Sequence, residues 1–137
     1  MSLKQLCYAF VLLCLAGEFT ARADDEPPPQ KIRAEEARQY LGKKVTVTFA
    51  VQSAKDAVKR KVVFLDSEKD FRDPKNLGII VPEDIAARLV QKIGANPATY
   101  YKDRTIRVVG KVVEEEGRCY IRLAEPEQIE VVEPESK

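Results

Sequence analysis

Lys44 to Gln52 reads KVTVTFAVQ, with Val45, Val47, Phe49 and Val51 alternating against Thr46, Thr48, Ala50 and Gln52. β-Branched apolar residues at period two predict a strand with one buried face. Upstream, Ala34 to Leu41 (AEEARQYL) predicts a short helix with Ala34, Ala37 and Leu41 on one face. Gly42 stands where such a helix would end. Downstream, Ser53 to Lys61 (SAKDAVKRK) is polar and basic and reads as a loop or strand extension.

Further along, Val62 to Leu65 (VVFL) predicts a second strand, and four consecutive apolar residues leave its inward face ambiguous. Asp66 to Asn76 is a long charged loop, and Leu77 to Val81 (LGIIV) is a third strand. Pro82 opens a helix over Glu83 to Ile93, where Ile85, Leu89, Val90 and Ile93 form a stripe. Its acidic start, Lys92 near its end and Gly94 just beyond suit the helix dipole and a C-terminal cap. Asn96-Pro97 should end any continuation. Arg104 to Val113 is a fourth strand, with Gly110 marking a bulge or sharp bend. Glu114 to Gly117 is a hairpin connection, and Arg118 to Leu123 is a fifth strand. There Cys119, Ile121 and Leu123 face one way, and Arg118, Tyr120 and Arg122 the other. Ile129 to Val132 adds a short extension after Pro126.

The expected class is therefore mainly β with minor α. One helix between the third and fourth of five strands is the order of the five-stranded Greek-key barrel called the OB-fold. A short N-terminal helix precedes it. Closure is the physical reason: a lone sheet this apolar on one face would leave that face wet and two edges open.

The ends of the chain read differently. Lys4, the apolar run Leu6 to Ala16 and Ala21-Arg22-Ala23 predict a secretory signal over 1–23. Eleven apolar residues rise about 16 Å as a helix, about half of a bilayer core, so no membrane anchor is expected after cleavage. Export, to a periplasm or outside the cell, is the expected localisation. Residues 24–31 predict an acidic, proline-rich tether, 32–132 the OB-fold domain and 133–137 a disordered tail. The 137-residue chain has 23 basic and 22 acidic side chains, and without residues 1–23 it balances at 21 of each. Balanced charge removes the simplest argument for a nucleic-acid binder, a strongly basic chain. Beyond the signal only Cys119 remains, so no internal disulfide is expected.

Two stretches resemble small exported bacterial OB-fold proteins related to the OB-fold nucleic-acid-binding and tRNA-anticodon-type groups. AEEARQYLGKKVTVTFAV is similar to their opening, in which a short helix leads into the first strand. YYKDRTIRVVGKVVEEEGRCYIRLAEPEQIEVV is similar to their second half. The resemblance covers about Ile32 to Val132 and rests on scaffold positions: Gly42, Val45, Val47, Val108, Gly110, Ile121, Pro126 and Ile129. It implies the fold, not the ligand, because the fold hosts DNA, RNA, oligosaccharide and protein ligands alike.

OB barrels bind across strands two and three, flanked by the first-to-second and fourth-to-fifth strand loops. The first of these loops holds Lys55, Lys59, Arg60 and Lys61, four cations in seven residues, with Lys43 and Lys44 nearby. Such a cluster suits a phosphate backbone, or equally a solvated hairpin tip. Phe71 with Arg72 in the charged loop is the candidate stacking platform. Arg107, Lys111, Arg118, Tyr120 and Arg122 form a second basic face by parity, read either as cross-strand partners of nearby Glu or as an anion patch. Glu114, Glu115 and Glu116 are expected on the opposite lip, where they repel phosphates. A bipolar rim of this kind fits a protein or peptide as well as a nucleic acid or another anionic polymer.

Catalysis and cofactors are not expected. The chain has no His, which removes imidazole bases, nucleophile pairs and ligands. Asp66, Glu68, Asp70 and Asp73 have a calcium loop's composition, but Phe71 stands where Gly is needed and Leu77 where Glu is needed. The residues thus point to a non-catalytic exported OB-fold binding module. The alternative is an envelope protein–protein interaction module, and a metal-dependent nuclease is a distant third.

Overall fold

The computed structural model describes residues 28–133. The expected signal, residues 24–27 of the expected tether and residues 134–137 lie outside the described residues. The strands are β1 (Gln30–Ile32), β2 (Lys44–Ala50), β3 (Ser53–Ala57), β4 (Val62–Asp66), β5 (Leu77–Pro82), β6 (Thr105–Glu115), β7 (Arg118–Arg122) and β8 (Ile129–Val131). Two α-helices, α1 (Glu83–Ile93) and α2 (Pro97–Tyr101), lie between β5 and β6. The N-terminal helical segment, Ala34–Tyr40, is a 3-10 helix, and Gly42 follows it at φ 81°. Among the described residues no helix is long and apolar enough to cross a membrane.

The strands form one eight-stranded sheet in the order β1-β2-β6-β7-β5-β4-β3, with β8 added to β6. This corrects the expectation of five strands closing into a barrel: the pairings run as an open path. The short extension after Pro126 counts as β8, and two departures supply the other added strands. Gln30 and Lys31, expected in the solvated tether, form β1 with Ile32, and this strand pairs in parallel with Val45–Val47 and buries Ile32. Ser53–Ala57, read as loop or extension, is a strand paired antiparallel with β4. Only the small Ala54 packs against the core from this strand, so apolar patterning gives no signal.

β2 and β3 are consecutive in the chain, separated only by Val51 and Gln52, yet stand far apart along the path of pairings. Val51 N–H donates to Arg104 O at 2.9 Å and Val51 O accepts from Asp103 N–H at 2.9 Å. Gln52 N–H donates the other way, to Asp66 O at 2.9 Å. The chain therefore turns its hydrogen bonds from the β6 side to the β4 side within two residues.

The alternation expected from the sequence is the core. Val45, Val47, Leu65, Leu77, Ile79, Val81, Ile106, Val108, Val112 and Ile121 are fully buried. In β4 the inward residues are Val63 and Leu65, which leaves Val62 and Phe64 outside. On α1, Ile85 and Leu89 are buried, but Val90 is 42 % exposed, contrary to the expected stripe. At about 100° per residue Val90 falls beyond the buried sector, and Ala86 and Ile93 pack against the core instead. Asn96-Pro97, expected as a stop, starts α2: the Asn96 side chain accepts from Ala98 N–H at 2.8 Å and Pro97 takes the first helical position.

β6 pairs with β2 through residues 105–111 and with β7 through residues 112–115. Gly110 stands just before the β7 ladder begins, where a Cβ would lie 2.5 Å from Ile121 Cγ2. The need there is close approach rather than a bulge, since Gly110 keeps its partner Val45. Next to it, Gln128 Nε2 donates to Val109 O at 2.8 Å, serving a carbonyl between the β8 and β7 ladders. Gly110→Ala should lower stability by about 1–3 kcal/mol in urea unfolding through overpacking. The cost should shrink when Ile121→Ala removes the clashing carbon.

Candidate functional site

The outward face of β3, β4, β5 and β7 holds a groove of about 350 Å³. Register builds it from two rows that run across the strands. Lys55, Phe64, Ile80 and Arg122 are successive cross-strand partners, and so are Ser53, Asp66, Gly78 and Tyr120. All of these except Gly78 line the groove. Arg60 closes one rim, Glu115, Glu116 and Arg118 the opposite rim, and Phe71 reaches in from the loop after β4.

Gly78 is the device that shapes the floor. A Cβ there would lie 2.8 Å from Tyr120 Cδ1, so the Tyr120 ring lies down over the glycine. Its neighbour is Phe64, with ring centroids 6.2 Å apart at 47°. Guanidinium groups cover the remaining aromatic faces. Arg60 stands 5.4 Å from the Phe64 centroid, and Arg118 and Arg72 stand 4.7 and 5.8 Å from that of Phe71. Phe71 remains 48 % exposed.

The walls are held by hydrogen bonds that sequence reading did not find. Asn76 Nδ2 donates to Asp66 Oδ1 at 3.0 Å, Glu68 N–H donates to Asn76 Oδ1 at 2.9 Å, and Leu77 N–H donates to Ser67 Oγ at 2.9 Å. Arg38 then ties two loops together, donating to Pro74 O at 3.2 Å and to Gly117 O at 2.7 Å. The loop that carries Phe71 and the turn that carries Glu116 are thus clamped by one side chain from the N-terminal helical segment.

The lining carries Lys55, Arg60, Arg118 and Arg122 against Asp66, Glu115 and Glu116. Arg122 Nη2 leans to Glu115 Oε2 at 3.8 Å. Asp66 is only 5 % exposed, and its burial raises its pKa above the ordinary carboxyl value, partly offset by the bond from Asn76. Burial likewise raises the Cys119 thiol, which faces the core as expected. No group of three or more His, Cys, Asp or Glu side chains among the described residues is placed to hold a metal. Asp70 instead takes Arg72, whose side chain and backbone bonds lower its pKa.

Residues expected at the site divide. Lys55, Arg60 and Phe71 of the first set and Arg118, Tyr120 and Arg122 of the second meet in one groove. Lys59 is exposed in a 3-10 turn outside it. Lys61, at φ 57°, turns to a separate hollow of about 220 Å³ beside α1. Arg72 lies outside the lining against Asp70, and Arg107 pairs with Glu130 at 3.1 Å. Lys111 is exposed on β6 opposite Lys44. Of the three expected acidic residues, Glu115 and Glu116 line the rim, while Glu114 stands 4.0 Å from Arg38. Phe64, Asp66, Ile80 and Ser53 were not among the expected site residues.

No protein-family model matches the sequence, nor does any curated protein. Solved structures do resemble the fold. Asparaginyl-tRNA synthetase from Pyrococcus horikoshii matches with TM-score 0.51 and 19% identity over 80% of this chain and 24% of that one. The Entamoeba histolytica asparaginyl-tRNA synthetase, in complex with asparaginyl-adenylate, gives 0.51 and 13% over 81% of this chain and 25% of that one. The OBody AM1L10, bound to hen egg-white lysozyme, gives 0.54 and 16% over 80% of this chain and all of that one. The chain thus spans about a quarter of the length of the synthetases it matches. At these identities the likeness shows the fold alone: a mainly β, OB-fold-like domain.

The raised Asp66 carboxyl predicts a pH dependence. Burial penalises the ionised form in the folded state, so stability from this group is greatest below its unfolded pKa, about 3.9, and falls as pH rises through the higher folded value. Asp66→Asn keeps an acceptor for Asn76 and removes the penalty. The variant should gain on wild type in urea unfolding as pH rises from 4 to 7; a constant difference would contradict the assignment.

Proposed function

We propose that this chain is a non-catalytic, exported OB-fold binding module that takes single-stranded nucleic acid in the groove over β3, β4, β5 and β7. In this reading β2 and β3 act as one first strand bent at Val51–Gln52. β4, β5, β6 and β7 are then the other four strands of the Greek-key order. The ligand groove accordingly falls on the second and third strands, between the two loops named from the sequence.

The observation that carries the reading is one surface holding Phe64, Tyr120 and Phe71 together with the Arg60 and Arg118 guanidinium groups. Planar aromatic and guanidinium faces are what unpaired bases stack on, and the adjacent cations suit the backbone. The fold likeness to aminoacyl-tRNA synthetases, whose names state a tRNA substrate, supports the same class of ligand. The volume is at the low end of the roughly 300–1,000 Å³ of ligand pockets, which suits one or two stacked bases.

Glu115 and Glu116 on the rim favour a second reading, a protein or peptide partner with complementary charge. The OBody, of the same fold, is bound to a protein. The two readings differ in salt dependence. Binding of labelled single-stranded 12-mer DNA and RNA, followed by fluorescence anisotropy, should weaken steeply with salt. Phe64→Ala and Tyr120→Ala should each weaken it by about 5- to 150-fold, the ~1–3 kcal/mol of a lost stack, with circular dichroism unchanged. Absence of binding at low salt would remove the nucleic-acid reading and leave the protein partner.

A further inference from the structure

Next to the groove, the same outward sheet face carries a charge arrangement that the groove does not use. Lys44 of β2 and Lys111 of β6 are direct cross-strand partners. Both are exposed, as is Lys43 beside them. None of the three joins an ion pair among the described residues. Like charges directly opposite on a sheet repel and destabilise the pair. On this face Arg107 is matched by Glu130 at 3.1 Å and Arg122 by Glu115 at 3.8 Å, whereas the groove cations Lys55, Arg60 and Arg118 join no ion pair among the described residues. Lys44 and Lys111 differ from these in standing directly opposite each other on paired strands.

Its position is informative. The β6–β7 ladder ends with Val112 opposite Ile121, so Lys111 and Arg122 are the next residues on either strand. The row Lys55, Phe64, Ile80, Arg122 that crosses the groove thus continues to Lys111 and then to Lys44. At about 4.8 Å between strands, the groove part of the row spans about 14 Å and the full row about 24 Å along the curved face.

We infer that Lys111 and Lys44 extend the ligand track, holding the phosphates of a single strand whose bases have entered the groove. The inference rests on the nucleic-acid reading above and adds a footprint to it. A phosphate placed between the two ammonium groups replaces their repulsion with two attractions and releases condensed counterions. The ligand must then be longer than the groove, toward the roughly 4–16 nucleotides that one OB domain occupies.

The test compares labelled dT4 and dT12 by anisotropy at several salt concentrations. The proteins are wild type, Lys44→Gln/Lys111→Gln, and Lys92→Gln/Lys102→Gln, which changes net charge equally away from the row. Wild type should bind dT12 more tightly than dT4. The Lys44/Lys111 variant should lose about fivefold or more on dT12, with a salt slope shallower by about 1.4, the value for two single-strand phosphates. Its dT4 binding should match wild type, and the Lys92/Lys102 variant should bind dT12 as wild type does. Unchanged dT12 affinity and slope in the Lys44/Lys111 variant would overturn the inference and leave the groove reading standing. Equal losses on dT4 and dT12, or in the charge-matched variant, would overturn it too, because bulk charge would then be the cause. Failure of wild type to bind either oligonucleotide removes both readings together.

Discussion

Strand β6 lies between β2 and β7, and Ile121 of β7 can approach it closely only because Gly110 has no side chain. The first seven residues of β6 belong to β2 and its last four to β7, and Ile121 of β7 occupies the space a Cβ would need. A side chain at Gly110 would push Ile121, and β7 with it, away from β6 and loosen the core that Val45, Val47, Ile79 and Ile121 share. Gln128 bonds the Val109 carbonyl left between the β8 and β7 ladders. Burial of one apolar face, the dominant favourable term here, is thus tightened at β6 by one close contact and one side-chain amide.

The same construction determines what the opposite face can do. Alternation that sends Val63, Leu65, Ile79 and Ile121 inward sends Phe64, Ile80, Tyr120 and Arg122 outward, in register across three strands. A small residue, Gly78, lets the Tyr120 ring lie flat instead of standing into solvent. Arg38 joins the two loops above this floor, so the aromatic patch sits between walls that are held rather than free. Mixed charge then distinguishes the groove from a plain phosphate funnel. On the proposed nucleic-acid reading, stacking would supply the sequence-tolerant part of the attraction, and the acidic lip would limit how many phosphates lie inside.

Period-two patterning made the inward faces of the strands from Val45 and Arg118 legible, as was the helix over Glu83 to Ile93. Elements without an apolar signature were not legible. Gln30–Ile32 buries one residue of three, and β3 buries none fully, so neither patterns as a strand. Asn96-Pro97 was read as a stop, yet the same two residues cap and open a helix. The site was half legible for a related reason. Parity put Arg118, Tyr120 and Arg122 on one face, and contiguity put Lys55 through Lys61 on one loop. Only cross-strand register shows that Lys55 and Arg122 belong to the same row, whereas Lys59 and Lys61, their neighbours in sequence, do not. Phe64 stayed undecided because VVFL has no alternation, and Asn76 carried no signal at all.

The central claim is that the outward face of β3, β4, β5 and β7 is the ligand-binding face. Amide chemical-shift mapping of the isotope-labelled protein titrated with a single-stranded DNA 12-mer tests it most directly. Shifts concentrated on Phe64, Ile80, Arg118 and Tyr120, saturating together, are the predicted result. Shifts confined to α1 and the hollow beside Lys61, or none at all under low-salt conditions, would contradict it.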